Sequence, residues 1–208
     1  MEVPKGANVV SGRWVNSWKT DGDDQVLKVK SRMVARGFSQ SYGDECLEVA
    51  SPTVESTTTK MTLRVAVELG WPVKQYDVTK AFIRADMDDD VYMRLPKGCD
   101  ILTGKVVLLN KVVCGLKQAG RQWNLKLVQT FTDEMGLEQS KSDPCLFRLM
   151  RSDRFVLISA VHVDDMIVAA EAGYQCDWFY AELRRMFPSR HGTTDPYQIT
   201  ELCPFLLA

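Results

Sequence analysis

The 208-residue chain contains no run of roughly 18 apolar residues, so no membrane-spanning helix is expected. Its first residues, MEVPKGANVV, lack the apolar core of a secretory signal. Histidine occurs only twice, at no zinc-ligand spacing. The six cysteines (Cys46, Cys99, Cys114, Cys145, Cys176 and Cys203) are scattered without a C-x-x-C pair. A structural zinc site is therefore not expected, and the thiols read as reduced side chains of an intracellular protein. An excess of either charge is also missing: 26 Lys and Arg face 27 Asp and Glu, for a net charge of −1. That balance argues against wholesale nucleic-acid binding, although a local basic stripe can still serve it. No internal repeat or low-complexity linker breaks the chain. At 45% apolar and 25% charged residues, the composition is that of one soluble domain, or one domain with a small lobe.

The most informative stretch is Phe155 to Ala170, FVLISAVHVDDMIVAA. Two Val- and Ile-rich runs flank Asp164 and Asp165, and runs of this length suit buried strands. Both carboxylates then fall at or beside a hairpin tip. A tip selected for stability would carry Asn-Gly or Asp-Gly. This one has no glycine and two adjacent like charges. A divalent cation would favour the ionised form of both, whereas the alternative is an ordinary solvated turn.

Toward the N-terminus, residues 13–19 read as a strand, with a D-G turn within Thr20 to Asp24 and a return strand over Val26 to Phe38. Alternation places Leu27, Val29, Met33 and Ala35 on one face, and Lys28, Lys30, Arg32 and Arg36 on the other. The cationic face is either solvated or lies along phosphates. Residues 39–57 are polar and turn-rich. A helix capped by Thr57 or Thr58 runs to Leu69, with Met61, Val65 and Leu69 as its core stripe and Gly70 as its stop. Val73 to Phe82 begins as a short strand carrying Asp77 at its carboxyl end, placed either to reach a site or to cap a helix. Residues 91–95 and 105–109 form two further short strands. Leu116, Ala119, Trp123, Leu127, Phe131 and Met135 are the buried stripe of a long helix over Lys117 to Met135, with Gly136 as its stop. Gln118, Arg121 and Gln122 fall away from that stripe, open to a base, a phosphate or solvent. A strand over 145–150 leads into the hairpin, and a last helix covers Asp177 to Phe187.

Six segments, taken together and in order, resemble the reverse transcriptase domain of copia-type LTR retrotransposons. KVKSRMVARGFSQSYG (Lys28 to Gly43) is similar to that family's finger segment. VKQYDVTKAFIRADM (Val73 to Met87) resembles its first catalytic motif, and VYMRLPKG (Val91 to Gly98) the segment after it. CGLKQAGRQW (Cys114 to Trp123), SDPCLF (Ser142 to Phe147) and HVDDMIVA (His162 to Ala169) complete the series.

The resemblance implies an α+β fold: a right-hand polymerase palm, with an antiparallel sheet and packed helices, plus a small fingers lobe. One fingers/palm domain would fill residues 1–208, with 12–57 mainly fingers, 58–187 mainly palm and 188–208 a diverged tail. The implied activity is RNA-directed DNA synthesis by a fragment of a retrotransposon Pol polyprotein. Its partners would be an RNA or DNA template-primer and deoxynucleoside triphosphates. Asp77, Asp164 and Asp165 match the catalytic, metal-holding carboxylates, implying two Mg²⁺ ions, with Mn²⁺ able to substitute. Asp77 and Asp164 are 87 positions apart, so only the fold can unite them. Lys30, Arg32, Phe82 and Gln118 match nucleotide or template contacts; Phe82 would sit under the incoming sugar, and core packing is its alternative role. The match departs at His162, where the family usually has Tyr, and at Cys114 and Gly120, where it has Tyr and Pro. The family's thumb and ribonuclease H segments are not recognisable here. The alternative is thus a catalytically inactive remnant, or a co-opted nucleic-acid-binding module.

Overall fold

A computed structural model describes residues 7, 9–21, 23, 25–40, 49–99, 106–187 and 200–201. The fold is mixed α and β, with two sheets and three α-helices among the described residues. In chain order the elements are β1 (Val9–Thr20), β2 (Val26–Ala35), α1 (Ser56–Leu69), β3 (Val73–Asp77), β4 (Tyr92–Arg94) and β5 (Val106–Leu108). They continue with α2 (Ala119–Gln129), β6 (Glu138–Gln139), β7 (Leu146–Arg151), β8 (Arg154–His162), β9 (Asp165–Ala170), α3 (Gly173–Met186) and β10 (Thr200–Glu201). The chain divides into two compact units, Met1–Ala50 with Phe82–Trp123, and Ser51–Ala81 with Asn124–Ala208. Residues 82–123 thus belong to the same unit as the N-terminal residues. The D-G turn's Gly22, Cys46, Cys203 and most of the 188–208 tail lie outside the described residues. Among the described residues, Cys99, Cys114, Cys145 and Cys176 are not joined in disulfides.

The first unit holds a four-stranded sheet in the order β2-β1-β4-β5. β1 starts at Val9, four residues earlier than the sequence suggests, because Val9 to Ser11 pair in parallel with Tyr92 to Arg94. From Gly12 outward β1 pairs only with β2, forming a two-stranded antiparallel ribbon. The core beneath gathers Val10, Ala35, Val91, Met93, Leu95, Val112 and Leu116, with Phe82 packed against it. Backbones meet closely at its centre: the Ala35 N–H donates to the Cys114 carbonyl at 2.8 Å. A Cβ at Gly115 would lie 2.2 Å from the Ala35 carbonyl oxygen, and its φ of +94° is already a glycine conformation.

The second unit is built on an all-antiparallel sheet in the order β10-β3-β9-β8-β7-β6. Helix α1 covers one face, where Ala66 packs with Val73, Ile158 and Ala169. The orientation of α1 differs from the sequence expectation. Met61 and Leu69 are about half exposed, at 49% and 50%, and the buried stripe is Thr58, Thr62 and Ala66. Small residues let the helix approach the sheet, and the Thr62 hydroxyl is satisfied by donating to the Thr58 carbonyl at 2.9 Å. The opposite face is covered by α3 and by the second half of the long helix. All six residues proposed for that helix's stripe are buried. The helix itself ends as α2 at Gln129 and continues as a π-turn over Thr130–Glu134, which seats Phe131 edge-on to Phe147 at 5.0 Å and to Phe179 at 5.4 Å. Burying one such ring contributes about 1.5–3 kcal/mol. The last helix starts four residues before its expected position, and the Gln175 side chain reaches back to accept the Ala172 N–H at 2.6 Å.

Candidate metal centre

Each carboxylate of the candidate site is delivered by a different piece of backbone in the second unit. Asp77 ends β3, Asp165 begins β9, and the register pairs the two directly across neighbouring strands. Asp164 occupies the two-residue connection between β8 and β9, which closes on the pair His162–Asp165. Its carbonyl accepts the Val78 N–H at 2.9 Å, tying the hairpin tip to the strand that carries Asp77. As a result, one oxygen from each of Asp77, Asp164 and Asp165 lies within 4.8 Å of the others, although 87 positions separate the first two in sequence.

The neighbours hold this arrangement rigidly. Tyr76 is fully buried, donates its phenolic O–H to the Cys176 carbonyl at 3.0 Å, and stacks on Tyr180. Locking Tyr76 into the core fixes the direction of Asp77 beside it. At the tip, Val163 has φ = +59°, and it is the only residue of that turn with positive φ. The pattern is that of a II′ hairpin, which ordinarily takes glycine at this position. A β-branched residue there stores about 1–3 kcal/mol of strain. The strain sits directly between His162 and the two carboxylates.

Electrostatically, the cluster is costly without a counter-charge. Like charges directly opposite each other in a sheet are destabilising, and Asp77 faces Asp165 in that manner. Among the described residues, no lysine or arginine forms an ion pair with Asp164 or Asp165. The Gln75 amide reaches Asp165 only at 3.5 Å. Asp77 and Asp164 are half-buried and Asp165 is exposed, so the group is open to an ion and its waters. Three converging hard oxygen donors suit Mg²⁺ or Mn²⁺ better than zinc or copper. The residues present fit the cations that the sequence implies.

The other expected site residues belong to the first unit. Lys30 and Arg32 lie on the cationic face of the ribbon, opposite Ser17 and Val15. Phe82 is half-buried against that unit's core. Gln118 departs from the expected open position: it is 1% exposed and accepts a hydrogen bond from the Gln40 side chain at 3.1 Å. Gln122 is likewise buried and donates to Asp88, while Arg121 lies 3.6 Å from the same carboxylate. Gln118 turns inward because the Gln40 segment covers the helix start. Gln40 itself accepts the Lys117 N–H through its side chain at 2.9 Å and the Lys117 ammonium through its carbonyl at 2.7 Å.

Sequence reasoning also passed over Asp143. Its Oδ1 accepts the Cys145 N–H at 2.8 Å and its Oδ2 accepts the Glu55 N–H at 3.2 Å, with the Thr58 hydroxyl as a third donor. Burial alone would raise its pKa, but these three hydrogen bonds together hold it below the usual carboxylate value. Asp143 thereby caps α1 from a distant loop and fixes the start of β7, the strand paired to β8. The same burial, followed by the Asp143 charge, pushes the Cys145 thiol up to about 11. The Asp-Pro turn in SDPCLF was the available signal, since aspartates in turns bond to backbone two residues on.

A buried antiparallel sheet that presents clustered carboxylates at one strand end is a site suited to metal-dependent chemistry on an exposed substrate. The chain belongs to the reverse transcriptase (RNA-dependent DNA polymerase) family, which it matches over residues 1–191. It is 35% identical over 173 residues to the retrovirus-related Pol polyprotein from transposon TNT 1-94 of Nicotiana tabacum, covering 82% of this chain and 13% of that protein. The Pol polyprotein from transposon RE2 of Arabidopsis thaliana is 36% identical over 79% of this chain and 11% of its own length. A truncated transposon Ty1-A Gag-Pol polyprotein of Saccharomyces cerevisiae is 26% identical over 77% of this chain and 12% of its own length. These relatives are copia-type Pol polyproteins, of which this chain spans about an eighth or less. Among the described residues, no helix is long and apolar enough to cross a membrane.

Proposed function

We propose that this chain is an intracellular RNA-directed DNA polymerase segment that adds deoxynucleotides to a primer 3′ end along an RNA or DNA template. In this reading the second unit is the palm and the first supplies fingers. Asp77, Asp164 and Asp165 would hold two divalent cations. Such ions, when bound, lower the pKa of the primer 3′-hydroxyl and offset charge on the triphosphate. The protein's own contribution is a fixed anionic cradle, preorganised by Tyr76, by the Val78–Asp164 backbone bond and by the closed β8–β9 turn. Lys30 and Arg32 bind phosphates of nucleotide or template. Phe82 shapes the sugar site, where a ring disfavours a 2′-hydroxyl, and Gln118 supports the nucleotide pocket from its buried position.

The observation that carries the proposal is the convergence of three carboxylates within 4.8 Å. Purified protein with a primed template, deoxynucleotides and Mg²⁺ or Mn²⁺ should extend the primer. Extension no greater than that of an Asp164→Ala control would overturn it. If extension failed while salt-sensitive binding through Lys28, Lys30, Arg32 and Arg36 persisted, the chain would be a non-catalytic nucleic-acid-binding module.

A further inference from the structure

Gln40 and Gln118 belong to the first unit and are both buried, at 3% and 1% exposure. Buried amides are kept where their oxygen and NH2 ends meet opposite partners, so the order of the bonds between them carries information. That order is set by a group with no choice. The backbone N–H of Lys117 can only donate, and it donates to the Gln40 side chain at 2.9 Å, so the atom receiving it is the oxygen Oε1. The other end of that amide, Nε2, is then a donor, and it lies 3.1 Å from Gln118 Oε1. An amide whose oxygen is held from one side carries its NH2 on the other. Gln118 therefore turns N–H donors, not an acceptor, away from Gln40.

We infer that Gln40 is a positioning residue: it fixes the Gln118 amide so that the NH2 end serves the nucleotide pocket. The inference rests on the proposed polymerase reading, in which Gln118 supports that pocket, and adds what orients it. A nucleotide offers such a group acceptors, namely phosphate, sugar and base oxygens, and a reversed amide would set oxygen against oxygen. The seat of Gln40 is firm enough for the task. The Gly37 N–H donates to the Gly115 carbonyl at 3.1 Å, and the Gln40 N–H donates to the Gly37 carbonyl at 3.0 Å. The Gln40 carbonyl in turn accepts the Lys117 ammonium at 2.7 Å. A Cβ at Gly37 would lie 2.1 Å from the Gly115 carbonyl oxygen, so the turn that carries Gln40 is pressed directly onto the backbone before Gln118. Gln40 acts only through Gln118 and needs no contact with substrate.

The test compares the full chain with Gln40→Glu and Gln40→Leu. Glutamate replaces one NH2 by oxygen at nearly constant shape, and the Lys117 ammonium beside it balances the charge. Its carboxylate can bond to Gln118 only through the Gln118 NH2, so that amide turns over and sets its oxygen toward the pocket. In primer extension with Mg²⁺, Gln40→Glu should raise the KM for the deoxynucleotide about 5- to 150-fold, as expected for a mispaired buried amide. Its kcat and its KM for template-primer should stay within about threefold, the pattern of lost uniform binding. Gln40→Leu removes the anchor without reversing the amide and should raise the same KM about 2- to 12-fold. The second readout is the side-chain amide resonances of ¹⁵N-labelled protein without nucleotide. The Gln118 signals should shift in both variants, and downfield in Gln40→Glu, where they meet a carboxylate. An unchanged nucleotide KM, a fall in kcat alone, an equal rise in both KM values, or Gln118 signals that do not move would overturn the inference. A parent that extends no primer sinks the polymerase reading, while the resonances still decide whether Gln40 sets the amide. If Gln40→Glu does not melt cooperatively, Gln40→Leu is judged by the same criteria.

Discussion

Asp164→Asn should make the metal-free protein more stable while abolishing its response to metal. One oxygen from each of the three carboxylates lies within 4.8 Å of the others, and two unit charges at that distance repel by about 0.9 kcal/mol even at the dielectric constant of water. Neutralising Asp164 removes two of the three repulsions. Allowing for salt screening, the gain is about 1–2 kcal/mol. For a chain of this size that raises the melting temperature by about 2–8 °C. Asparagine keeps the side-chain shape, and the backbone carbonyl that accepts the Val78 N–H is untouched. In the parent protein, free Mg²⁺ or Mn²⁺ at ten times its Kd should add about 1.4 kcal/mol, or about 3–6 °C. The assay is differential scanning fluorimetry of both proteins in EDTA and across a metal titration. A variant no more stable than the parent in EDTA, or one that keeps the parent's metal response, would refute the argument that these three groups form one cation-holding cluster.

Two other substitutions probe the supports of the site. Asp143→Asn removes the charge that three donors converge upon and should cost about 1.5–3 kcal/mol, measured by urea denaturation at neutral pH. Because the folded pKa of Asp143 is depressed, its stabilising contribution is complete above the unfolded carboxylate value, near 4, and is lost as pH falls through the lower folded value. The parent's advantage over the variant should therefore be flat at neutral pH and shrink in acid; an advantage that grew on acidification would contradict the hydrogen-bond geometry. Val163→Gly should relieve the +59° backbone at the hairpin tip and, after the entropic cost of glycine, stabilise the fold by about 0.5–1.5 kcal/mol. Destabilisation by more than 1 kcal/mol in the same denaturation assay would show that Val163 contributes more by packing than it loses by strain.

The amino-acid sequence by itself determined the elements whose signals are local. The three- and four-residue spacing from Leu116 to Met135 marked a buried helical face, because helix periodicity repeats within a few residues wherever the helix packs. The strands around Asp164 and Asp165 were legible from β-branched runs, and the candidate carboxylates from the residues flanking them. The sequence did not reveal which face of α1 is buried: threonines and an alanine lie against the sheet, while Met61 and Leu69 face water. That choice depends on how closely the sheet allows the helix to approach, a property of Val73 on the next strand and of Ile158 and Ala169 on distant ones. Nor could it show that Gln118 turns inward to Gln40, or that Asp143 serves α1 from 88 positions away. The meeting of Asp77 with Asp164 and Asp165 is likewise a tertiary fact. It follows from the antiparallel register of β3 on β9, a pairing between strands far apart in the chain, and only the closing of that sheet brings the three charges to one point.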